Sequence, residues 1–290
     1  MTVQGAPGGG VRRVHGDEAA ALLAAGGLTV VDVRTLDEHA QLGHLPGSRL
    51  LPVHLMISAP AVLPDDGRPV LVYCEHGVRS AHAASLLAAA GWGPVYDLVG
   101  GMAAWRGARM FGASAVAGPA AWILDNGDLV RPGMRGLDVA AGRGRHALLM
   151  AGANVAVTAI DRDPARMSRL AQLAARLGLS IDTQVCDLES GDVDLGEAQY
   201  DLVIVTHYLH RPLMPAIVRA VAPSGVLLYE TFTTAQAARG KPTNPDYLLA
   251  PGELPRLVAP LDVIRQREGE VDGRMVASVA AVNAPRRSAS

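Results

Sequence analysis

The chain is short of the residues that mark several large protein classes. It holds two cysteines in 290 residues, Cys74 and Cys186. They are too few and too far apart for a disulfide framework or a cysteine-based metal site. A single lysine, Lys241, stands against many arginines, a bias from which no function follows. Charge of one sign is also missing, with 26 Lys+Arg against 28 Asp+Glu and a net charge of -2. Splitting the chain near residue 115 uncovers no hidden basic part: 8 Arg face 9 acids before it, and 18 Lys+Arg face 19 after it. No general affinity for nucleic acid is expected. No apolar run reaches the ~18 residues of a membrane span. Met1 to Pro7 lacks the basic and apolar regions of a signal peptide. The expected setting is therefore the reducing cytoplasm, with no membrane partner and a usable thiol.

What is present suits two soluble domains. The chain is 49% hydrophobic and 19% charged, and its length fits two units of ordinary size. The first half is organised around Val70 to Ser80. An apolar β-type run ends at Cys74, a short polar loop follows, and a helix is predicted from Ala81 to Ala90. A loop at a helix N-terminus gathers backbone N–H donors, which lower a cysteine pKa and make it nucleophilic. The alternative is a small buried hydrophobe. Arg79, Gly77 and Ser80 weigh toward the nucleophile.

In chain order, residues 1–10 read as loose, and Asp17 is expected to cap a helix ending near Ala25. Strands are predicted at Leu28–Val33, Ser48–Pro52, Val70–Tyr73 and near Val95–Leu98. A helix is predicted at Leu36–Leu42 and a helical turn at His54–Ser58. This alternation implies a parallel sheet covered on both faces, with reactive loops at the carboxyl ends of its strands. Asp32-Val33-Arg34, Glu38, Gly43-His44-Leu45-Pro46-Gly47, Cys74-Glu75-His76-Gly77-Val78-Arg79-Ser80 and Gly100-Gly101-Met102-Ala103-Ala104-Trp105 follow one another through the segment. In these the segment resembles a single rhodanese domain. The resemblance implies that Cys74 takes up a sulfane sulfur, carries it as a persulfide and passes it to a nucleophile. Arg79 and the loop Glu75, His76, Gly77, Val78 and Ser80 would hold the anion. Four residues separate Cys74 from Arg79. The related phosphatases use five, so this narrower loop favours sulfur over phosphate. Glu75 places thiosulfate in doubt as the donor and leaves a persulfide as an equal candidate. Asp32, Glu38 and His44 read as structural, Arg34 as either a brace or an aid to anionic donors, and Trp92 and Trp105 as packing residues.

Residues 106–118 lose the strand–helix rhythm, so the domains are placed at 1–115 and 116–290. Pro119–Leu124 begins a helix-like lead-in. Trp122 there is expected to pack, with a cover over a cofactor site as the alternative. A strand then ends at Asp138-Val139 and enters a turn holding Gly142 and Gly144. Further strands are predicted at Val155–Asp161, Ser180–Cys186, Tyr200–Thr206 and Val226–Glu230, with a helix at Pro164–Leu177. Residues 261–269 and 274–282 are expected to form a hairpin across Asp272-Gly273. Asp161 follows Asp138 by 23 residues, where an acid can accept hydrogen bonds from both ribose hydroxyls. That spacing also suits a nicotinamide-dinucleotide Rossmann domain. Asp138 ahead of the glycines and the closing hairpin instead resemble a class I S-adenosylmethionine-dependent methyltransferase. The expected fold class is therefore α/β in both domains, rhodanese-like and then Rossmann-like.

The second resemblance implies S-adenosyl-L-methionine as cofactor. Gly142 and Gly144 would let backbone approach it, Asp138 would help hold its amino-acid end, Asp161 its ribose, and Asp187 and Leu188 its adenine. Ala140, Arg162 and Thr206 complete the expected cofactor set. His207-Tyr208-Leu209-His210-Arg211-Pro212-Leu213 and Tyr229-Glu230-Thr231-Phe232-Thr233 resemble the tellurite-resistance-type methyltransferases. A small, soft methyl acceptor is implied, with His207 or His210 as base and Tyr208, Tyr229 and Glu230 shaping its pocket. Arg239–Tyr247 is a loop able to cover that pocket. The expected protein is a bifunctional enzyme with a persulfide or thiosulfate donor. The alternatives are a rhodanese domain serving as a sensor or binding module, and, against the charge balance, a tRNA-modifying enzyme.

Overall fold

The computed structural model describes residues 10–114, 116–191 and 193–284. The glycine-rich start expected to be loose therefore lies outside the described residues from 1 to 9, as does residue 115, where the domain boundary was placed. The chain divides into two compact units, with the main changeover between Gly118 and Pro119.

The first unit runs β1 (Val11–Val14), α1 (Gly16–Ala25), β2 (Thr29–Asp32), α2 (Leu36–Gln41), β3 (Arg49–Leu50), α3 (Ala59–Val62), β4 (Val70–Tyr73), α4 (Val78–Ala89), β5 (Val95–Leu98) and α5 (Gly101–Ala104). Its five strands form one sheet in the order β1-β5-β4-β2-β3. All neighbours are parallel. β2 and β4 are buried along their whole length, which is why they read as continuous apolar runs. Three expectations need correction. Asp17 lies inside the first turn of α1 and caps nothing, because His15 is the N-cap residue. β1 escaped prediction because two exposed arginines sit in a four-residue edge strand. The helix after Cys74 begins at Val78, three residues earlier than predicted, so Arg79 and Ser80 belong to its first turn.

The second unit runs α6 (Ala121–Asp125), β6 (Arg135–Val139), α7 (Arg145–Gly152), β7 (Ala156–Asp161), α8 (Pro164–Leu177), β8 (Ile181–Val185), β9 (Tyr200–Thr206), α9 (Met214–Ala220), β10 (Val221–Phe232), α10 (Leu254–Leu257), β11 (Asp262–Val271) and β12 (Arg274–Val282). Its seven strands take the order β11-β12-β10-β9-β6-β7-β8. β12 is antiparallel to both β10 and β11, and the other neighbours are parallel. Asp272 and Gly273 both have positive φ, matching the two-residue hairpin expected there. β10 starts five residues before its predicted position, at Val221, because the exposed Pro223-Ser224 step interrupts its apolar pattern. Trp122 is a packing residue: its Nε1 donates to the Val279 carbonyl at 3.0 Å, and Arg267 lies 4.9 Å over its ring. Among the described residues no helix is long and apolar enough to cross a membrane.

Candidate active sites

The Cys74 loop leaves the carboxyl end of β4 and enters α4. Gly77 caps that helix with φ 86° and donates its N–H to the Cys74 sulfur at 3.1 Å. The Ser80 oxygen lies 3.5 Å from the same sulfur. Burial alone would raise the thiol pKa. The Ser80 hydroxyl and the N–H groups of Ser80, His76 and Gly77 outweigh it and lower the pKa. The loop is braced from below by α5. Met102 and Ala103 donate to the carbonyls of Cys74 and Glu75, both at 2.9 Å. A Cβ at Gly101 would meet the Cys74 carbonyl oxygen at 2.3 Å, so only glycine permits this approach. The Gly100-Gly101-Met102 stretch is thus the floor of the sulfur loop.

Charge around the loop is already paired. Arg34, fully buried, donates to both oxygens of Asp32, to Glu75 Oε2 at 2.8 Å and to the Gly43 carbonyl at 2.7 Å. It braces the loop. Asp32 also meets His39, whose ring stacks on His44 at 3.8 Å, so both are structural. Arg79 does not stand alone over the sulfur. Its two terminal nitrogens contact Glu38 at 2.7 and 2.5 Å. Glu38 also forms the reciprocal capping box with Thr35 at the start of α2, so one carboxylate ties α2 to the first turn of α4. These contacts, Arg79 foremost, hold the Glu38 carboxyl down at about 2. His76 and Val78 are exposed at the lip, and Ser80 is buried.

In the second unit a cavity of about 330 Å³ opens where β6, β7, β8 and β9 end. Ala140, Asp161, Arg162, Asp187, Leu188, His207 and Tyr208 line it, together with three residues the sequence did not single out, Arg166, Cys186 and Glu189. Asp161 accepts the N–H of Gly142 at 2.8 Å and of Asp163 at 3.0 Å, which fixes the glycine turn against β7. Ala140 and His207 both have φ 54°, a costly conformation for residues with a side chain. They directly follow β6 and the neighbouring β9. The Tyr208 hydroxyl oxygen is buried without a hydrogen-bond partner among the described residues.

Several expected site residues fall elsewhere. Asp138 is buried and accepts the Ala147 N–H at 2.9 Å, holding the first turn of α7; burial pushes its carboxyl up to about 7. Gly144 is the left-handed cap of that helix. Thr206 Oγ1 lies 3.3 Å from His146 Nδ1, and the other nitrogen of His146 accepts the Ala120 N–H. Tyr229 is fully buried, its hydroxyl donating to the Tyr208 carbonyl at 2.9 Å. It supports the cavity wall from within. Glu230 accepts from Arg267 and Ser278, at 2.9 and 2.7 Å. His210 precedes the turn Arg211–Leu213 and, like Arg239–Tyr247, is not among the cavity-lining residues.

His207 has a definite chemical state. Arg145 Nη2 lies 3.2 Å from its Nδ1, and its ring stacks on Phe232. A guanidinium can only donate, so Nδ1 accepts and the neutral ring carries its hydrogen on Nε2. Burial first, then Arg145 and Arg274, lower its pKa to about 4. That is a poor match to a general base at neutral pH. The geometry offers an N–H donor instead.

The chain thus carries a cysteine loop rich in N–H donors in one α/β unit and a strand-end cavity in the other. Residues 15–108 match the rhodanese-like domain, and residues 137–225 match a methyltransferase domain. A sulfurtransferase of Allochromatium vinosum is 42% identical over 76 residues, covering 26% of this chain and 69% of that protein. Thiosulfate sulfurtransferase GlpE of Pseudomonas paraeruginosa is 38% identical over 89 residues, covering 31% and 79%. The chain therefore belongs, through its first unit, to the rhodanese-like family, and its second unit carries a methyltransferase domain. Solved structures similar to it include TehB of Haemophilus influenzae, at a TM-score of 0.48 and 20% identity, covering 58% of this chain and 63% of that one. An S-adenosylmethionine-dependent methyltransferase of Mesorhizobium loti follows at 0.47 and 16%, covering 57% and 98%.

Proposed function

We propose that the protein is a bifunctional enzyme of the cytoplasm, moving sulfur through Cys74 and a methyl group at the cavity of the second unit. The observation that carries the first activity is the Cys74 sulfur held by the Gly77 N–H at 3.1 Å, among loop donors that outweigh its burial. These donors hold the thiolate's charge on the Cys74 sulfur; in the persulfide the charge lies one bond further out, on the outer sulfur. The thiolate attacks the outer sulfur of a donor. A Cys74 S–S bond forms as the donor's S–S bond breaks, and the bonding pair leaves with the donor. A nucleophilic acceptor then takes the outer sulfur and returns the thiolate.

The donor is a persulfide in preference to thiosulfate. Glu75 does not repel it as a free charge, because Arg34 holds it. Three carboxylates around the loop, Asp32, Glu38 and Glu75, nevertheless stand against two guanidiniums, Arg34 and Arg79, and this net negative charge disfavours a dianion. Cyanide-dependent transfer should be faster with glutathione persulfide than with thiosulfate. The reverse order would overturn this choice of donor and leave Cys74 in place.

The cavity residues fit S-adenosyl-L-methionine. Carboxylates of Asp161 and Asp187 suit hydroxyl and amino groups, Leu188 gives an apolar wall, and Tyr208 brings a buried hydroxyl with hydrogen-bonding capacity left over. Asp161, Arg162, Asp187 and Leu188 would hold the cofactor, with Ala140 and Gly142 supplying backbone. When bound, it supplies an electrophilic methyl group. The acceptor is a small soft nucleophile, a thiol or another chalcogen compound. A thiol ionises in part near neutral pH and heavier chalcogen analogues more fully, so the weak basicity of His207 is no obstacle; its Nε2–H suits an anion. Calorimetry should show S-adenosylmethionine binding, and a screen of thiols, selenite and tellurite should identify acceptors by S-adenosylhomocysteine release. Binding of a nicotinamide dinucleotide instead would overturn the cofactor.

A further inference from the structure

Beneath the sulfur loop lies a carboxylate that the sulfur chemistry above does not use. Asp97, on β5, is fully buried. Its Oδ1 lies 2.6 Å from the Ser80 oxygen, which is itself 3.5 Å from the Cys74 sulfur. Its Oδ2 has no hydrogen-bond partner among the described residues. The cation facing it is Arg13 of β1, the residue paired with it across the sheet, whose Nε is 3.8 Å away on a largely exposed side chain. β4 brings no charged side chain, and Arg79 of α4 is paired with Glu38 and acts on the Cys74 end of the pair. A buried carboxylate with an oxygen left over is costly as an anion. As a neutral acid it needs only one strong contact, and the Ser80 oxygen provides it.

We propose that Asp97 is the proton store of the sulfur site, exchanging one proton with Cys74 through the Ser80 hydroxyl. Ser80 carries a single hydrogen and so cannot donate to both neighbours. With Cys74 a thiol, Ser80 accepts the S–H and donates to the Asp97 carboxylate. In the exchange the thiol proton moves to the Ser80 oxygen while the hydrogen already on Ser80 moves to Asp97 Oδ1. No heavy-atom bond changes. One negative charge moves from the carboxylate to sulfur, Asp97 now donates to Ser80, and Ser80 donates to the thiolate. The proton then stays on Asp97 through sulfur uptake and release: on uptake the negative charge passes from the Cys74 sulfur to the outer sulfur of the ionised persulfide, and on release it returns to the thiolate. Burial raises the Asp97 pKa against the pull of Ser80 and Arg13. Asp97 touches no substrate in this scheme and acts as a positioning residue.

The inference rests on Cys74 as the sulfur carrier, but its test needs no sulfur donor. Alkylation of Cys74 by iodoacetamide is followed across pH, with the Cys74 peptide quantified by mass spectrometry so that Cys186 does not contribute. Two groups sharing a proton titrate in two steps that belong to the pair. The wild type should therefore show a two-step profile. Asp97→Asn has no carboxyl, and its amide can donate to Ser80 as the neutral acid does. It should show one step, complete at lower pH than the upper wild-type step. Ser80→Ala severs the link and should show one step at higher pH, with neutral-pH alkylation reduced by roughly tenfold. A single-step wild-type profile shared by Asp97→Asn overturns the proposal, even if Ser80→Ala is shifted. Asp97→Asn is close in shape to the native residue, so the comparison does not depend on a truncation that fails to fold. A wild type that takes up no sulfur overturns the carrier reading and leaves the titration to decide the proton exchange.

Discussion

The two units commit their charged residues in different ways. Around Cys74 the charges pair side chain to side chain: Arg34 joins Asp32 to Glu75, and Arg79 joins α4 to Glu38. Around the second cavity the key carboxylates face backbone, Asp161 on Gly142 and Asp163 and Asp138 on Ala147. Two wall residues, Ala140 and His207, hold left-handed backbone conformations. Under the proposed function, the difference follows from what each site would handle. A resident sulfur must be held at one point, and cross-linked side chains freeze the loop that holds it. An exchangeable cofactor needs a shaped opening, and shape is set by main chain at strand ends.

The sharpest break of that comparison is Cys74→Ser. It should abolish sulfur transfer while S-adenosylmethionine binding by calorimetry stays as in wild type. Next in size is Arg34→Met, which leaves Asp32 and Glu75 without their shared cation. Breaking such a buried network costs about 3–5 kcal/mol, which chemical denaturation of the first unit should show. Asp161→Ala removes a charged acceptor from the glycine turn and should weaken S-adenosylmethionine binding by roughly ten- to a hundredfold, with the Cys74 alkylation rate unaltered. Glu38→Gln has a smaller, pH-dependent effect. The folded-state pKa of Glu38 lies below its ordinary 4.5, at about 2. Its contribution is thus full above pH 4.5 and lost as pH falls through about 2. The variant should be less stable at neutral pH and converge with wild type in strong acid. The smallest effect concerns His207. Neutral above about pH 4, it should leave no inflection near 6.5 in the methyl-transfer profile, where an ordinary histidine base would.

Much of this arrangement is legible in the sequence, because strand-end loops announce themselves through local signals. An apolar run that stops at Cys74, or at Asp138-Val139 before two glycines, marks its own register. The residues that surround those loops are harder to read. Glu75 looks like a charge facing the donor until the fold brings Arg34, 41 positions away, onto it. Arg79 looks free until Glu38 arrives from α2. His207 reads as a base, and only the contact with Arg145 fixes its hydrogen on the other nitrogen. Tyr229 reads as a pocket residue because the sequence of the buried run Val226–Thr231 does not say which face is the cavity. Asp97 gives no signal at all: it is a single acid in a short strand, and its meaning comes from Ser80 lying against it.

The most direct measurement is mass spectrometry of the full chain after incubation with glutathione persulfide and removal of excess donor. One additional sulfur atom should be found on the Cys74 peptide, and it should be discharged by cyanide. No added sulfur on Cys74 with either glutathione persulfide or thiosulfate, or undiminished cyanide-dependent transfer by the Cys74→Ser variant, would contradict the assignment of Cys74 as the sulfur carrier.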